Sequence, residues 1–226
     1  MTHTQPADAA HDTWPPGPPE IPPIGPPGRP SQPWPQAPDP ILPTWEEPDP
    51  TWRQRDIADR LLEQRIVLVS GRLDDQLTDH VSRQLLLLGS TEPDHPIELH
   101  LSCREAELRA SIALATTIDL VRADVHAVVS GMLAGPALAV LCASARRSAH
   151  RRATFVLTLP RESSPEGTAS ELAAKAAEYD LLVTQLAERI AAVAGRDQAA
   201  VVADLGSDRL MDAEEARTYG LVDELI

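Results

Sequence analysis

The residue types that acyl transfer through a hydroxyl requires are present in the chain, but they are scattered. This chemistry needs a nucleophile, a base that titrates near neutral pH, and backbone amides aimed at the developing oxyanion. Ser130, Ser144 and Thr158 are candidate hydroxyls, and His126 and His150 are the nearby imidazoles. None of the hydroxyls lies in a Gly-x-Ser-x-Gly turn, and the spacing of the histidines nominates no base. Local motifs therefore do not identify a working triad.

Metal and cofactor sites find no support in local spacing either. The chain has neither a His-x-x-x-His nor a Cys-x-x-Cys pattern, and His95 with His100 forms only a weak pair. Cys103 and Cys142 have a spacing that suggests neither zinc nor a disulfide framework. We expect no metal and no cofactor.

The elements that must position these side chains follow from apolar periodicity. Strands are predicted at 65–71, 97–101, 125–130, 155–159 and 221–226, and helices at 75–88, 107–121, 136–145, 168–194, 197–205 and 212–219. Strands that alternate with helices are typical of stacked β-α units around a largely parallel sheet. We therefore predict an α/β fold.

The helix at 168–194 is unusually long for a small domain. Thr168 and Glu171 form a capping box at its start, and Gly195 ends it. One apolar stripe runs along it, formed by Leu172, Ala176, Tyr179, Leu182, Val183, Leu186 and Ile190. Because such a length cannot pack wholly on the domain, we expect the helix to project and meet another subunit.

The first part of the chain has a different composition. Residues 1–50 hold 17 of the 22 prolines and three of the four tryptophans, and they bury too little apolar surface to offset the entropy of ordering. We predict a disordered Pro/Trp-rich tail at 1–55 and a folded domain at 56–226. Trp45, in Pro-Thr-Trp-Glu-Glu-Pro, is the first candidate for a partner-docking motif, with a plain spacer as the alternative.

The charge of the chain excludes some partners. A net charge of −14 argues against a general binder of nucleic acid or anionic membrane. The one basic run, at 146–152, is predicted to be a solvated loop. The start of the chain lacks the charged and apolar regions of a signal peptide, and no apolar run approaches the length of a membrane span. We expect a soluble cytoplasmic protein.

Three segments together resemble the ClpP family, the proteolytic subunits of Clp proteases (peptidase S14). They are Arg-Ile-Val-Leu-Val-Ser-Gly at 65–71 with the helix after it, the strand and turn at 125–137, and Asp-Arg-Leu-Met-Asp-Ala-Glu-Glu-Ala at 208–216, which continues to the end of the chain. The resemblance implies a crotonase-like, stacked β-β-α spiral at 56–226. The helix at about 168–195 would be the handle that joins two rings.

Position by position, the resemblance implies a broken catalytic set. The nucleophile position falls on Gly135 and the general-base position on Thr158, and Asp208 is the only triad position retained, with nothing to orient. The segment that would supply oxyanion-hole amides falls on Arg104, Glu105 and Ala106, where Glu105 would bring a negative charge. Glycine has no attacking atom, and a threonine hydroxyl titrates far too high to accept a proton at neutral pH.

The resemblance also bears on partners. Positions that would line the hydrophobic pocket for a loop of the Clp ATPase are Glu98 and His100, and a charge there argues against docking. The apolar stripe of the long helix is kept. The resemblance therefore implies a homo-oligomer or a mixed ring with an active ClpP paralogue.

We expect a catalytically inactive ClpP-like subunit that acts as a structural or regulatory component of a Clp-type assembly. Three alternatives stay open. The first is an interaction scaffold that works through its Pro-rich tail. The second is a crotonase-like enzyme that acts on an acyl thioester, with Glu105 or Asp208 as base. The third is a serine peptidase with residual activity.

Overall fold

A computed structural model describes residue 17, residues 50–160 and residues 167–226. All helices and strands described belong to one compact unit, Pro48–Ile226. The predictions made for the tail, including the docking motif around Trp45, lie outside the described residues.

The described part of the chain contains seven α-helices and seven strands, which alternate except where β5 follows β4 and α6 follows α5. The strands are β1 (Ile66–Leu73), β2 (Ile97–Ala106), β3 (Val125–Ala134), β4 (Arg146–Ala149), β5 (Thr154–Leu157), β6 (Arg209–Asp212) and β7 (Glu224–Leu225). The helices are α1 (Pro50–Glu63), α2 (Asp75–Thr91), α3 (Leu108–Leu120), α4 (Leu138–Ala143), α5 (Ala169–Ala194), α6 (Gln198–Gly206) and α7 (Ala213–Tyr219). A 3-10 turn, Gly135–Ala137, links β3 to α4.

The strands form a largely parallel sheet in the order β1-β2-β3-β4-β7. β3 belongs to two layers, because its first half pairs with β4 and its last residues, 132–134, pair with β5. β5 in turn pairs antiparallel with β6. The predicted α/β class is confirmed. As a consequence, the ends of β3 and β5 lie near the start of β6. Residues 135, 158 and 208, which adjoin these strands, are thereby brought close together.

The core lies between the sheet and the helices that follow its strands. Alternate residues of β2 and β3, such as Leu99 and Ala127, are fully buried, as are Val81 and Leu85 of α2 and Leu114 of α3. Burying each of the larger side chains contributes about 1.5–3 kcal/mol. The two-residue alternation of the strands and the helical stripes thus meet in one apolar layer.

Two elements correct the sequence-based prediction. The basic run is not a solvated loop, because Arg146–Ala149 forms β4 between β3 and β7. Arg146 and Arg147 pair with Glu224 (2.9 Å) and Asp223 (2.5 Å) near the C-terminal strand. Helix α1 was not predicted, and it begins at Pro50, inside the range assigned to the tail. Both elements have polar sequences, so apolar periodicity gave no signal.

The long helix α5 is packed over only part of its length. Its capping box is formed by Thr168 and Glu171, and Gly195 ends it in the left-handed conformation at φ +61°. Its buried residues, Leu186, Ala187, Ile190 and Ala191, all lie in the C-terminal half. The N-terminal half of the predicted stripe, including Ala176 and Leu172, is exposed or half-buried. The helix therefore presents an incompletely covered apolar stripe.

Candidate functional site

The three positions that the resemblance assigned to a triad meet in the folded protein. Gly135 follows β3, Thr158 follows β5, and Asp208 precedes β6. A Cβ atom built on Gly135 would lie 3.2 Å from Cγ2 and 3.3 Å from the carbonyl oxygen of Thr158. The Thr158 hydroxyl donates a hydrogen bond to Oδ1 of Asp208. The tertiary structure thus brings together residues that are far apart in sequence.

Gly135 has the backbone conformation that a strand-to-helix turn demands. Its φ of +55° lies in the left-handed region, directly between β3 and the 3-10 turn. A sharp turn of this kind is where α/β hydrolases place a strained nucleophile above the sheet. Here the turn is kept, but its residue has no side chain. The strand was predicted to end at 130 and instead continues to Ala134, so the turn is shorter than expected.

Asp208 has a partner at the site, contrary to the expectation that it would have nothing to orient. It accepts the hydrogen bond of Thr158, and its own φ of +52° is positive. A carboxylate and a hydroxyl make a polar pair, but this pair contains no imidazole that could act as the base. In this arrangement Thr158 is a donor to Asp208 and takes no proton from it.

The segment that carries Asp208 is held by a polar cluster around Tyr219. The Tyr219 hydroxyl donates to Asp204 (2.8 Å), and Arg209 contacts the same carboxylate at 3.2 Å. The guanidinium of Arg196 lies 4.0 Å from the centre of the Tyr219 ring. Burial, reinforced by the bond to Asp204, raises the pKa of Tyr219 to about 12. These contacts fix α6 and β6 on either side of Asp208.

A cleft of about 860 Å³ opens above Gly135 and Thr158. Residues 134–136 and 158–160 line it. The predicted oxyanion region, Arg104, Glu105 and Ala106, lines the cleft from the end of β2. The charged side chains around the cleft balance in sign, three arginines against three acids: Arg72, Arg104, Arg109, Asp75, Glu105 and Glu107.

Arg72 draws two of these acids together. It donates to Glu107 at 2.8 Å and lies 4.0 Å from Glu105. The hydrogen bond to Glu107, followed by the negative charge of that residue, raises the pKa of Arg72 further above its ordinary value. The Glu105 carboxylate therefore has a cationic neighbour, which offsets the negative charge expected to approach the oxyanion region.

The other sequence candidates are not brought to the cleft. Ser144 is buried and donates to the Val140 carbonyl oxygen at 3.1 Å. His150 accepts a bond from the Arg152 amide at 3.2 Å. Ser130 and His126 lie on β3 and do not line the cleft. None of these residues substitutes for the missing groups within the described part of the chain.

Glu98 and His100, which were predicted to face a Clp ATPase, lie on the side of β2 opposite its buried residues. Glu98 and His100 of β2 are joined by a 2.6 Å contact between Oε1 and Nε2. The neighbour of His100 on β1 is Leu68, which is 51% exposed. The contact between Glu98 and His100 therefore makes the sheet surface next to Leu68 polar.

Both cysteines are buried, and neither is a candidate nucleophile. Burial raises the pKa of Cys103 to about 11 and that of Cys142 to about 12. We expect a maleimide at about pH 8 to label neither thiol in the folded protein and both in concentrated urea, because only the thiolate reacts. Rapid labelling of either thiol in folded protein would contradict this assignment.

The same shifts predict a pH dependence of stability. Above the ordinary thiol pKa, about 8.5, the unfolded chain loses thiol protons that the folded chain keeps. The free energy of unfolding should therefore fall as pH rises from about 8.5 towards 11. Urea unfolding across this range measures the change. In a Cys103→Ala/Cys142→Ala variant, the part of the slope due to the thiols should disappear.

Two further observations apply to residues 50–160 and 167–226. No three potential ligands among histidine, cysteine and acidic residues there come close enough to hold a metal ion. Within the same ranges, every helix is too short or too polar to cross a membrane.

Comparison with known proteins places the chain in a family. The Clp protease family model matches residues 49–226. A Clp protease proteolytic subunit-like protein of Streptomyces coelicolor is 35% identical over 178 residues, which cover 77% of this chain and 84% of that relative. Proteolytic subunit 3 of the ATP-dependent Clp protease of Rhodococcus jostii is 30% identical over 181 residues, 79% of this chain and 89% of the relative. Because the family model spans most of the chain, including every strand of the sheet, this protein belongs to the Clp protease family of proteolytic subunits.

Proposed function

We propose that this protein is a catalytically inactive ClpP-like subunit, a structural or regulatory component of a Clp-type protease assembly. The observation that supports it best is that Gly135 adjoins Thr158, since a Cβ built on Gly135 would lie 3.2 Å from Thr158, and that Thr158 in turn donates to Asp208. Within the described residues, the nucleophile position has no hydroxyl, the Thr158 hydroxyl donates to Asp208, and neither position has an imidazole to take a proton.

The size of the expected defect follows from how triads work. A nucleophile and its base act as a unit, and removing either costs on the order of 10⁶ in kcat. What remains in such variants comes from binding and from the oxyanion hole. Thr158 cannot replace a histidine, since its hydroxyl is a donor to Asp208 and has no accessible proton-accepting state near neutral pH.

The assembly part of the proposal rests on α5. In its N-terminal half the apolar stripe is exposed or half-buried, and Leu181 beside the stripe is 58% exposed. We take this incompletely covered apolar surface as the contact for another protein. A second copy of this chain, or an active paralogue in a mixed ring, is the partner that the fold suits. We place this assembly in the cytoplasm.

Docking of a Clp ATPase is not part of the proposal. An apolar loop that covered Glu98 and His100 would remove both from water. Burying a charged group without a new partner costs several kcal/mol.

The test of activity uses the full chain and a short N-acylated fluorogenic peptide amide. We expect no hydrolysis above the blank, no labelling by a serine-directed phosphonate, and no change on Asp208→Ala. Hydrolysis that disappears in the Asp208→Ala variant would overturn the proposal and would favour the residually active peptidase.

The test of assembly is a mass measurement in solution, on the chain alone and after mixing with a purified active Clp proteolytic subunit. We expect an oligomer larger than a dimer, or a mixed species. Leu181→Asp should reduce this mass, while Arg83→Ala, on the exposed face of α2, should not. A monomer under both conditions would contradict the assembly role.

The alternatives have separate tests. The crotonase-like enzyme needs a free carboxylate base, but Glu105 lies 4.0 Å from Arg72 and Asp208 accepts the Thr158 hydrogen bond. Acyl-CoA compounds that raise the unfolding temperature would support it. The tail scaffold predicts that deleting residues 1–50 abolishes partner capture and leaves assembly unchanged.

A further inference from the structure

We infer that Pro136 is a third defect of the catalytic site, because it removes an amide that the site would need to stabilise an oxyanion. This inference rests on the proposed function and deepens it. Pro136 directly follows Gly135, is buried, and lines the same cleft. Proline has no backbone N–H.

The missing N–H matters because of where Pro136 lies in the turn. In a strand-turn-helix elbow, one oxyanion donor is the backbone N–H of the residue after the nucleophile. Gly135 occupies the elbow with φ +55°, between β3 and the 3-10 turn. The amide of residue 136 is therefore the one that would face a carbonyl attacked from residue 135.

One nearby amide is already engaged. In the 3-10 turn the Leu138 amide donates to the carbonyl oxygens of Gly135 and Pro136. Proline suits this turn, because its fixed φ matches the first turn of a helix and its missing donor leaves no bond unmade there. A chain without a nucleophile loses nothing by this exchange, whereas a working peptidase would lose an electrostatic contact to its transition state.

The inference separates Pro136 from the other suspect, Glu105. Sequence alone points to Glu105 as the damage to the oxyanion region, because of its charge. In the structure Glu105 is exposed, and its carboxylate lies 4.0 Å from Arg72. We therefore expect the missing amide of Pro136 to limit a rebuilt site more than the charge of Glu105.

The experiment rebuilds the site in the full chain. The starting variant is Gly135→Ser/Thr158→His, and the test variant adds Pro136→Ala. In both, the introduced hydroxyl oxygen bonds to the carbonyl carbon of the substrate, and its proton passes to the introduced imidazole. The carbonyl π electrons move to oxygen. Collapse of this oxyanion then breaks the C–N bond, and the imidazolium proton leaves with the amine. Water hydrolyses the acyl-enzyme.

The expected result is a difference in kcat. One oxyanion donor is worth about 10²–10³ in kcat. The triple variant should therefore hydrolyse the fluorogenic peptide amide at least about 10²-fold faster than the double variant, with little change in KM. Glu105→Gly added to the double variant, as the matched control, should change kcat by less than about tenfold.

Several outcomes would overturn the inference. If the folded triple variant hydrolyses the peptide no faster than the double variant, then Pro136 is not the limiting defect. A larger gain from Glu105→Gly would assign the defect to the charge. Activity of the unmodified chain would instead refute the proposed function, so the two failures are distinguishable.

Folding is a separate question for these variants, because a Cβ at 135 lies only 3.3 Å from the Thr158 carbonyl oxygen. Thermal unfolding and solution mass are measured for each. If the rebuilt chain does not fold, the reciprocal variant decides the matter: proline is introduced directly after the serine of an active Clp proteolytic subunit. We expect kcat to fall about 10²–10³-fold there. An unchanged kcat would refute the role of Pro136.

Discussion

Replacing Arg65 by alanine is expected to lower the free energy of unfolding by about 2 kcal/mol, because one cation donates to four carbonyl groups. Its guanidinium donates to the backbone oxygens of Leu88 (3.2 Å), Glu92 (3.1 Å), His95 (2.8 Å) and Pro96 (3.1 Å). The side chain is only 13% exposed. It joins the end of α2 to the start of β2.

The effect exceeds that of an ordinary surface arginine because the side chain is mostly buried and makes four charge-assisted bonds at once. The acceptors keep other partners, however. The carbonyl oxygens of Leu88 and Glu92 also accept the amides of Glu92 (3.2 Å) and His95 (3.4 Å), and the bonds to Glu92, His95 and Pro96 are exposed to water. The loss therefore stays below the sum of four buried bonds.

Three controls make this prediction specific. Arg65→Lys should recover only a minor part of the loss, because an ammonium group cannot reproduce a planar fork of donors. Arg65→Gly should cost about 1 kcal/mol less than Arg65→Ala, since residue 65 has φ +61° and only glycine adopts it without strain. Arg83→Ala, which removes an exposed pair with Asp79, should cost under about 0.5 kcal/mol. Urea unfolding measures all four; equal losses at 65 and 83 would refute the argument.

Replacing Gly220 by alanine is expected to cost about 3 kcal/mol or more. A Cβ at this position would lie 2.8 Å from Cα and 3.0 Å from the carbonyl oxygen of Ala194. These are backbone atoms at the end of α5, so α5 and the end of α7 would have to separate. The φ of +99° adds the strain that any side chain meets in this region.

Gly195 supplies the matched control for this prediction. It also has a positive φ, +61°, but a Cβ there would meet nothing within 4 Å. Gly195→Ala should therefore show the conformational cost alone, about 1 kcal/mol. The difference between the two variants, measured by thermal unfolding at one protein concentration, isolates the cost of the contact. Equal losses would show that the close approach to Ala194 is unimportant.

Much of the architecture was predictable because it is local. The capping box of Thr168 and Glu171 and the glycine at 195 bounded α5 correctly to within a residue, since helix ends depend on adjacent groups. β4 was missed, because its four residues have no apolar alternation. Its order comes from pairing with β3 and from ion pairs to residues 76–78 positions away.

The sequence by itself determined which atoms this protein lacks: glycine brings no hydroxyl, threonine no imidazole and proline no amide hydrogen, wherever they lie. Only the tertiary structure decided that these residues share one cleft. Thr158 and Asp208 are 50 positions apart and meet because β5 and β6 pair antiparallel. Likewise, only the structure showed that the negative charge of Glu105 lies beside Arg72 of the neighbouring strand and is offset by it. Periodicity reports which face a residue occupies, whereas its neighbours across a cleft depend on strand order and register.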